Sequence, residues 1–156
     1  MENGNPFRLI DVLKDHEVDF VVIGGHAVAF HGYPRATEDT DILFLRRPAN
    51  ETALFNALES VAARWIGNDL DPKTGIERQN AVTLEYVRRT HLMMLITDAG
   101  FLDVFDYVPG LPEEAVEPVF ESSVLANGLR FASRYWLRRM KKAANRPKDR
   151  LDLENL

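Results

Sequence analysis

Cysteine is absent from the 156 residues. That excludes disulfide frameworks, Cys-ligated zinc and cysteine nucleophiles, and it agrees with a reducing, cytoplasmic setting. Long apolar runs are missing too. A membrane-spanning helix needs about 18 or more apolar residues, and the best segment, Phe20 to Phe30, is broken by Gly24, Gly25 and His26. No membrane partner is expected. The start, Met1-Glu2-Asn3-Gly4-Asn5-Pro6, is polar and acidic, which is not the pattern of a signal peptide. The chain shows no internal repeat, low-complexity tract or linker. What remains is an ordinary globular composition, 46% hydrophobic and 28% charged, in a length that suits one domain over residues 1–156.

Charge is unevenly spread. Nine of the 19 Lys and Arg lie between Arg130 and Arg150, where Asp149 is the sole acid. This segment carries +8, so with a net charge of -5 the remainder carries -13. A basic segment on an acidic body can attract a polyanion locally.

The apolar pattern predicts a mixed α/β (α+β) domain. A helix is expected over 6–16, capped by Asn5, with Phe7, Ile10 and Leu13 on one face. Residues 19–23 read as a buried strand, 26–31 as a short helix and 38–45 as a second strand. A helix over 50–64 is expected from Leu54, Leu58, Val61 and Trp65. Residues 67–75 read as a loop, and 80–88 fit either a short helix or a strand. Segments 91–97 and 101–108 read as a hairpin turning at Asp98-Ala99-Gly100, and 119–125 with 129–132 as another around Asn127-Gly128. Ser133 is placed to cap a helix to Ala144, and a last helix follows Pro147. The core is expected over 17–110, with the C-terminal hairpin and helices over 118–156.

Two features carry chemistry. Gly24-Gly25 sits between a strand and a helix, where close backbone approach and free N–H groups suit phosphate. Asp39 and Asp41 then share one face of a strand. Adjacent carboxylates repel, and a divalent cation such as Mg²⁺ or Mn²⁺ relieves that repulsion. Each feature alone is common. A tight turn needs no ligand, and Asp-X-Asp often lies on a solvated face.

Their order and spacing resemble the nucleotidyltransferase superfamily, which includes kanamycin nucleotidyltransferase, the poly(A) polymerases and DNA polymerase beta. The pattern is met by Ile23, Gly24, Gly25, Asp39, Asp41 and Ile42; Thr40 departs from the usual apolar residue between the acids. The string from Ile23 to Asp41 is similar to small bacterial enzymes of the AbiEii type, found in abortive-infection and toxin–antitoxin systems. The resemblance implies a nucleotidyltransferase fold, a mixed sheet flanked by helices with a short C-terminal helical segment. It implies transfer of a nucleoside monophosphate from an NTP to an acceptor hydroxyl, with release of pyrophosphate. Asp39, Asp41 and a third carboxylate would be the catalytic and metal-binding set, with Mg²⁺ or Mn²⁺. Asp103, in Leu102-Asp103-Val104, is favoured as the third over Asp106, which has the opposite strand parity. Gly24 and Gly25 would seat phosphates, and Arg35 and Lys141 would neutralise triphosphate charge. The ending from Met140 to Asp149, with Asp152, resembles the subgroup's, with Asn145 in place of its usual Gly.

Plainer readings stand beside these. Arg35 could pair with Glu38, and Arg146 with Asp149 at a helix end. His26 and His31 have no zinc-ligand spacing and suit packing. Arg134, Arg138 and Lys141 share a helix face, which suits either a solvated surface or an RNA acceptor. The sequence leaves the acceptor open among tRNA, a partner protein and a small molecule such as an aminoglycoside, and leaves the oligomeric state open. Two rival functions remain: an inactive, antitoxin-like module that binds a partner protein, and a sugar-nucleotide glycosyltransferase using Asp-Thr-Asp.

Overall fold

The computed structural model describes residues 7–34, 37 and 39–156. The elements in chain order are α1 (Arg8–Asp15), β1 (Phe20–Ile23), α2 (Gly24–Phe30), β2 (Asp39–Phe44), α3 (Pro48–Ser60), β3 (Arg64–Leu70), β4 (Glu77–Ala81) and α4 (Leu84–Arg89). They continue as β5 (Leu92–Thr97), β6 (Gly100–Phe105), α5 (Glu117–Glu121), β7 (Val124–Ala126), β8 (Leu129–Phe131), α6 (Arg134–Ala144) and α7 (Pro147–Glu154). The eight strands form one mixed sheet in the order β4-β3-β5-β6-β2-β1-β8-β7. β2 runs parallel to β6, and β1 parallel to β8; the other neighbours are antiparallel.

The apolar run Phe20-Val21-Val22-Ile23 is buried at every position, as expected of a strand covered on both faces. β2 beside it alternates over its first four residues, before Leu43 is buried as well. Thr40, Ile42 and Phe44 are buried, whereas Asp39 is exposed and Asp41 half-buried on the other face. Ile10 and Leu13 of α1, Leu54 and Leu58 of α3 and Val87 of α4 are buried in the same core. Helix α6 starts as its sequence predicts, with the Ser133 side chain accepting from Trp136 N–H. It ends at Asn145, whose left-handed backbone (φ 49°) takes the role a glycine usually fills. The cap expected at Asn5 lies outside the described residues.

Three expectations are corrected. Helix α3 stops at Ser60, so Trp65 lies on strand β3, stacked on Tyr86 at 5.0 Å. The chain reverses through Ala62 (φ 50°), which ends the helical spacing that Trp65 continues by coincidence. Much of the expected loop 67–75 belongs to the hairpin of β3 and β4, whose polar residues give no alternation because most are exposed. The ambiguous stretch 80–88 divides into the end of β4 and most of α4. Residues 117–121 form helix α5, with Pro118 in its first turn, and of the expected strand 119–125 only Val124 and Leu125 pair, with Ala126 beyond its end. No helix among the described residues is long and apolar enough to cross a membrane.

Candidate active site

Strand pairing gathers the acidic residues. Ile23, the last residue of β1, lies opposite Asp41; Asp41 lies opposite Asp103; and Asp39 lies opposite Phe101. Paired residues on neighbouring strands point to the same face. Asp41 and Asp103 are therefore side by side in mid-sheet, with Asp39 two residues along β2. Asp106 is excluded from this row. It lies past the end of β6 and accepts from Arg46 (2.9 and 3.2 Å) and from His91 Nδ1 (2.7 Å).

The electrostatics follow from this placement. Burial first, and then the charges of Asp103 and Asp39, push the Asp41 carboxyl up to about 6 against the opposing charges of Lys141 and Lys148. Asp103 is also raised, first by burial and then by Asp39, against a hydrogen bond with Asp41 and the charge of Lys148. Among the described residues no three His, Asp or Glu side chains close around a point as a ready cage. The donor set still suits Mg²⁺. That ion is commonly held by one or two carboxylates, with water and substrate phosphate completing its shell.

Gly24 opens α2 directly against this row. Its φ of 67° lies in the left-handed region, and a Cβ there would overlap the Asp41 carboxylate. Gly25 follows, buried in the first turn. Gly24→Ala is expected to cost about 2–4 kcal/mol, combining left-handed strain with overpacking. Urea unfolding checks this, and in an Asp41→Ala background the loss should fall toward the ~1–2 kcal/mol of strain alone.

A cavity of about 240 Å³ adjoins the row. It is lined by Ile23, Gly24 and Asp41 from the sheet side, by Leu137, Met140 and Lys141 of α6, and by Pro109, Arg146 and Asp149 among others. Gly25, Asp39 and Asp103 are not among its lining residues.

Lys141 reaches this cavity but is already engaged. Its buried ammonium lies 2.9 Å from Asp152 and 3.3 Å from Asp149, both inaccessible to solvent. Asp149 also accepts from the Arg146 backbone N–H (3.0 Å) and from its guanidinium (2.6 and 3.2 Å). Burial alone would raise the Asp149 carboxyl; the Arg146 hydrogen bonds and the Lys141 charge hold it below its ordinary value. The helix-end pairing of Arg146 with Asp149 is thus present. Lys148 lies within the Met140 to Asp149 ending matched in the sequence but was given no role there. It is exposed, yet its charge acts on both Asp41 and Asp103. Its place in that ending was the signal available. Arg35 and Glu38 lie outside the described residues.

On the basic face of α6, Arg134 is exposed and donates to the carbonyls of His31 (2.7 Å) and Leu156 (3.4 Å), and Arg138, half-buried, donates to that of Leu153 (3.4 Å). His26 is buried beside Thr40 (3.4 Å), and His31 Nε2 lies 2.8 Å from the Ala132 carbonyl.

No family model matches the chain, and no curated protein does. Among solved structures it is similar to JHP933 from Helicobacter pylori, with 16% identity and a TM-score of 0.49, over 94% of this chain and 62% of that one. It is also similar to a structure described as "putative nucleotidyltransferase from H. pylori", with 15% identity and a TM-score of 0.43, over 86% and 55%. The chain spans less than two thirds of either protein. These likenesses assign no activity.

Proposed function

We propose that the protein is a metal-dependent nucleotidyltransferase that moves a nucleoside monophosphate from an NTP to an acceptor hydroxyl. The observation that supports this best is the row of Asp41 and Asp103 on adjacent parallel strands, with Gly24 packed on Asp41 and a cavity beside it. Bound Mg²⁺ or Mn²⁺ would offset charge on the α-phosphate and lower the pKa of the acceptor hydroxyl. Asp39, Asp41 and Asp103 would hold it. The acceptor oxygen forms a bond to the α-phosphorus, the bond from that phosphorus to the bridging oxygen breaks, and pyrophosphate leaves with the electron pair. Asp103, on the strand beside Asp41, would be placed to help deprotonate the hydroxyl. The N–H groups of Gly24 and Gly25 would meet phosphate oxygens. Lys148 is better disposed toward triphosphate charge than Lys141 or Arg146, both of which buried carboxylates engage. A place in a toxin–antitoxin or abortive-infection system rests on the sequence resemblance alone.

The test uses each of the four α-labelled NTPs, Mg²⁺ or Mn²⁺, and a cell extract divided into RNA and protein fractions. Label should enter one fraction and fall by about 10³-fold or more in Asp39→Asn, several kcal/mol of lost stabilisation. Equal labelling by Asp39→Asn would overturn the assignment. Failure to bind or turn over any NTP would favour the partner-binding module.

A further inference from the structure

We infer that the cavity beside Asp41 is the seat of the nucleobase, with the triphosphate tail lying outside it; this rests on the transferase reading above. The cavity holds about 240 Å³. Sites that enclose a whole drug-sized ligand hold about 300–1,000 Å³, so this one admits one end of an NTP rather than all of it. Asp41 lines the cavity, and in the transferase reading the α-phosphate meets the metal there. From that phosphorus a nucleotide runs two ways, to the nucleoside and to the β and γ phosphates. Along the same face the row passes from exposed Asp39 through half-buried Asp41 to buried Leu43, whose partner on β6 is Phe105. Phe105 also lines the cavity. The cavity therefore lies at the covered end of the row, and charge is easier to hold at the open end.

The lining decides which end enters. Phe105, Pro109, Leu137 and Met140 give the cavity largely apolar walls. The two cations among its described lining residues are already engaged, Lys141 by Asp152 (2.9 Å) and Asp149 (3.3 Å), and Arg146 by Asp149 (2.6 Å). Lys148, the cation better disposed toward phosphate, is exposed, and neither it nor Gly25 is among those lining residues. Phosphate oxygens set against these carbon walls would give up water for little return. A nucleobase has the opposite make-up, with two apolar faces and its polar atoms confined to the edge. Aromatic side chains stack on bases of any identity. Phe105 comes from the sheet and Met140 from α6, so a flat ring can lie between them with its edge toward Arg146.

Calorimetry with Mg²⁺ tests this, using each of the four NTPs and inorganic tripolyphosphate, which has the phosphates without the nucleoside. Ala144→Phe narrows the cavity from an exposed lining position, and Phe105→Leu keeps an apolar wall while removing the flat ring. The unaltered protein should bind both kinds of probe. Ala144→Phe should weaken NTP binding by about tenfold or more and Phe105→Leu by about threefold or more, the latter from lost stacking. Tripolyphosphate affinity should stay within about twofold in both variants, which also shows that they fold. Equal losses for the two probes, in variants that melt with the parent, would put phosphate in the cavity and overturn the inference. NTP affinity indifferent to both substitutions would overturn it too, as would NTP binding by an unaltered protein that does not bind tripolyphosphate. Each of these results leaves the transferase reading intact. An unaltered protein that neither binds nor transfers from any NTP removes both.

Discussion

Lys141→Met is expected to destabilise the protein by about 3–5 kcal/mol, the usual cost of removing one partner from a buried ion pair. Lys141 supplies the ammonium at 2.9 Å from Asp152 and 3.3 Å from Asp149, and both aspartates are essentially without solvent access. Asp149 keeps its three bonds from Arg146 when the lysine is lost. Asp152 loses the closer of the two contacts with the ammonium, so part of the cost falls there. The double variant Lys141→Met with Asp152→Leu should recover more than half of the loss, since an apolar pair avoids the stranded charge. Denaturant unfolding of the two single variants and the double variant gives the coupling directly. Full additivity would show that Lys141 and Asp152 do not depend on one another.

Asp41→Asn should separate stability from activity. The Asp41 carboxyl is raised from 3.8 to about 6, by burial first and then by Asp103 and Asp39. Between those values the folded chain holds a proton that the unfolded chain releases. Folding stability from this group is therefore present at low pH and lost as pH rises through that window. Asparagine is always uncharged and keeps an N–H to donate toward Asp103. At pH 8 the variant should be more stable than the parent by about 1–3 kcal/mol, reduced from the full shift because the side chain is partly exposed. At pH 4 the difference should vanish. Thermal unfolding across pH 4–8 checks this, and a constant difference over that range would contradict it. Mg²⁺ should raise the melting temperature of the parent and leave that of the variant nearly unchanged. Transfer by the variant should fall on the order of 10³-fold. A group that weakens the fold while serving the reaction is an expected feature of a working site.

The parts of the fold legible in the sequence are those whose physics is local. β1 shows as a continuous apolar run, α6 as a capped amphipathic stretch, and the β5–β6 hairpin as two apolar segments around Asp98-Ala99-Gly100. β3 and β4 were hidden because they are polar and mostly exposed, so pairing alone defines them. The same division holds at the site. Asp39 and Asp41 share a face by alternation, and parity separates Asp103 from Asp106. The clamp on Lys141 depends on how α7 folds back on α6, and the influence of Lys148 on the acids depends on the same packing. No spacing along the chain encodes either.

The two halves of the site are attached to the sheet unequally. Asp39, Asp41 and Asp103 ride on β2 and β6, which pair along five consecutive positions. Lys141, Arg146 and Lys148 belong to a C-terminal unit that meets β1 through one bridged pair, Val22 with Phe131, and a hydrogen bond from Ala132 to Val22. Thermal breathing follows the weaker attachment. The amides of β2 and β6 should outlast those of β8 in hydrogen exchange.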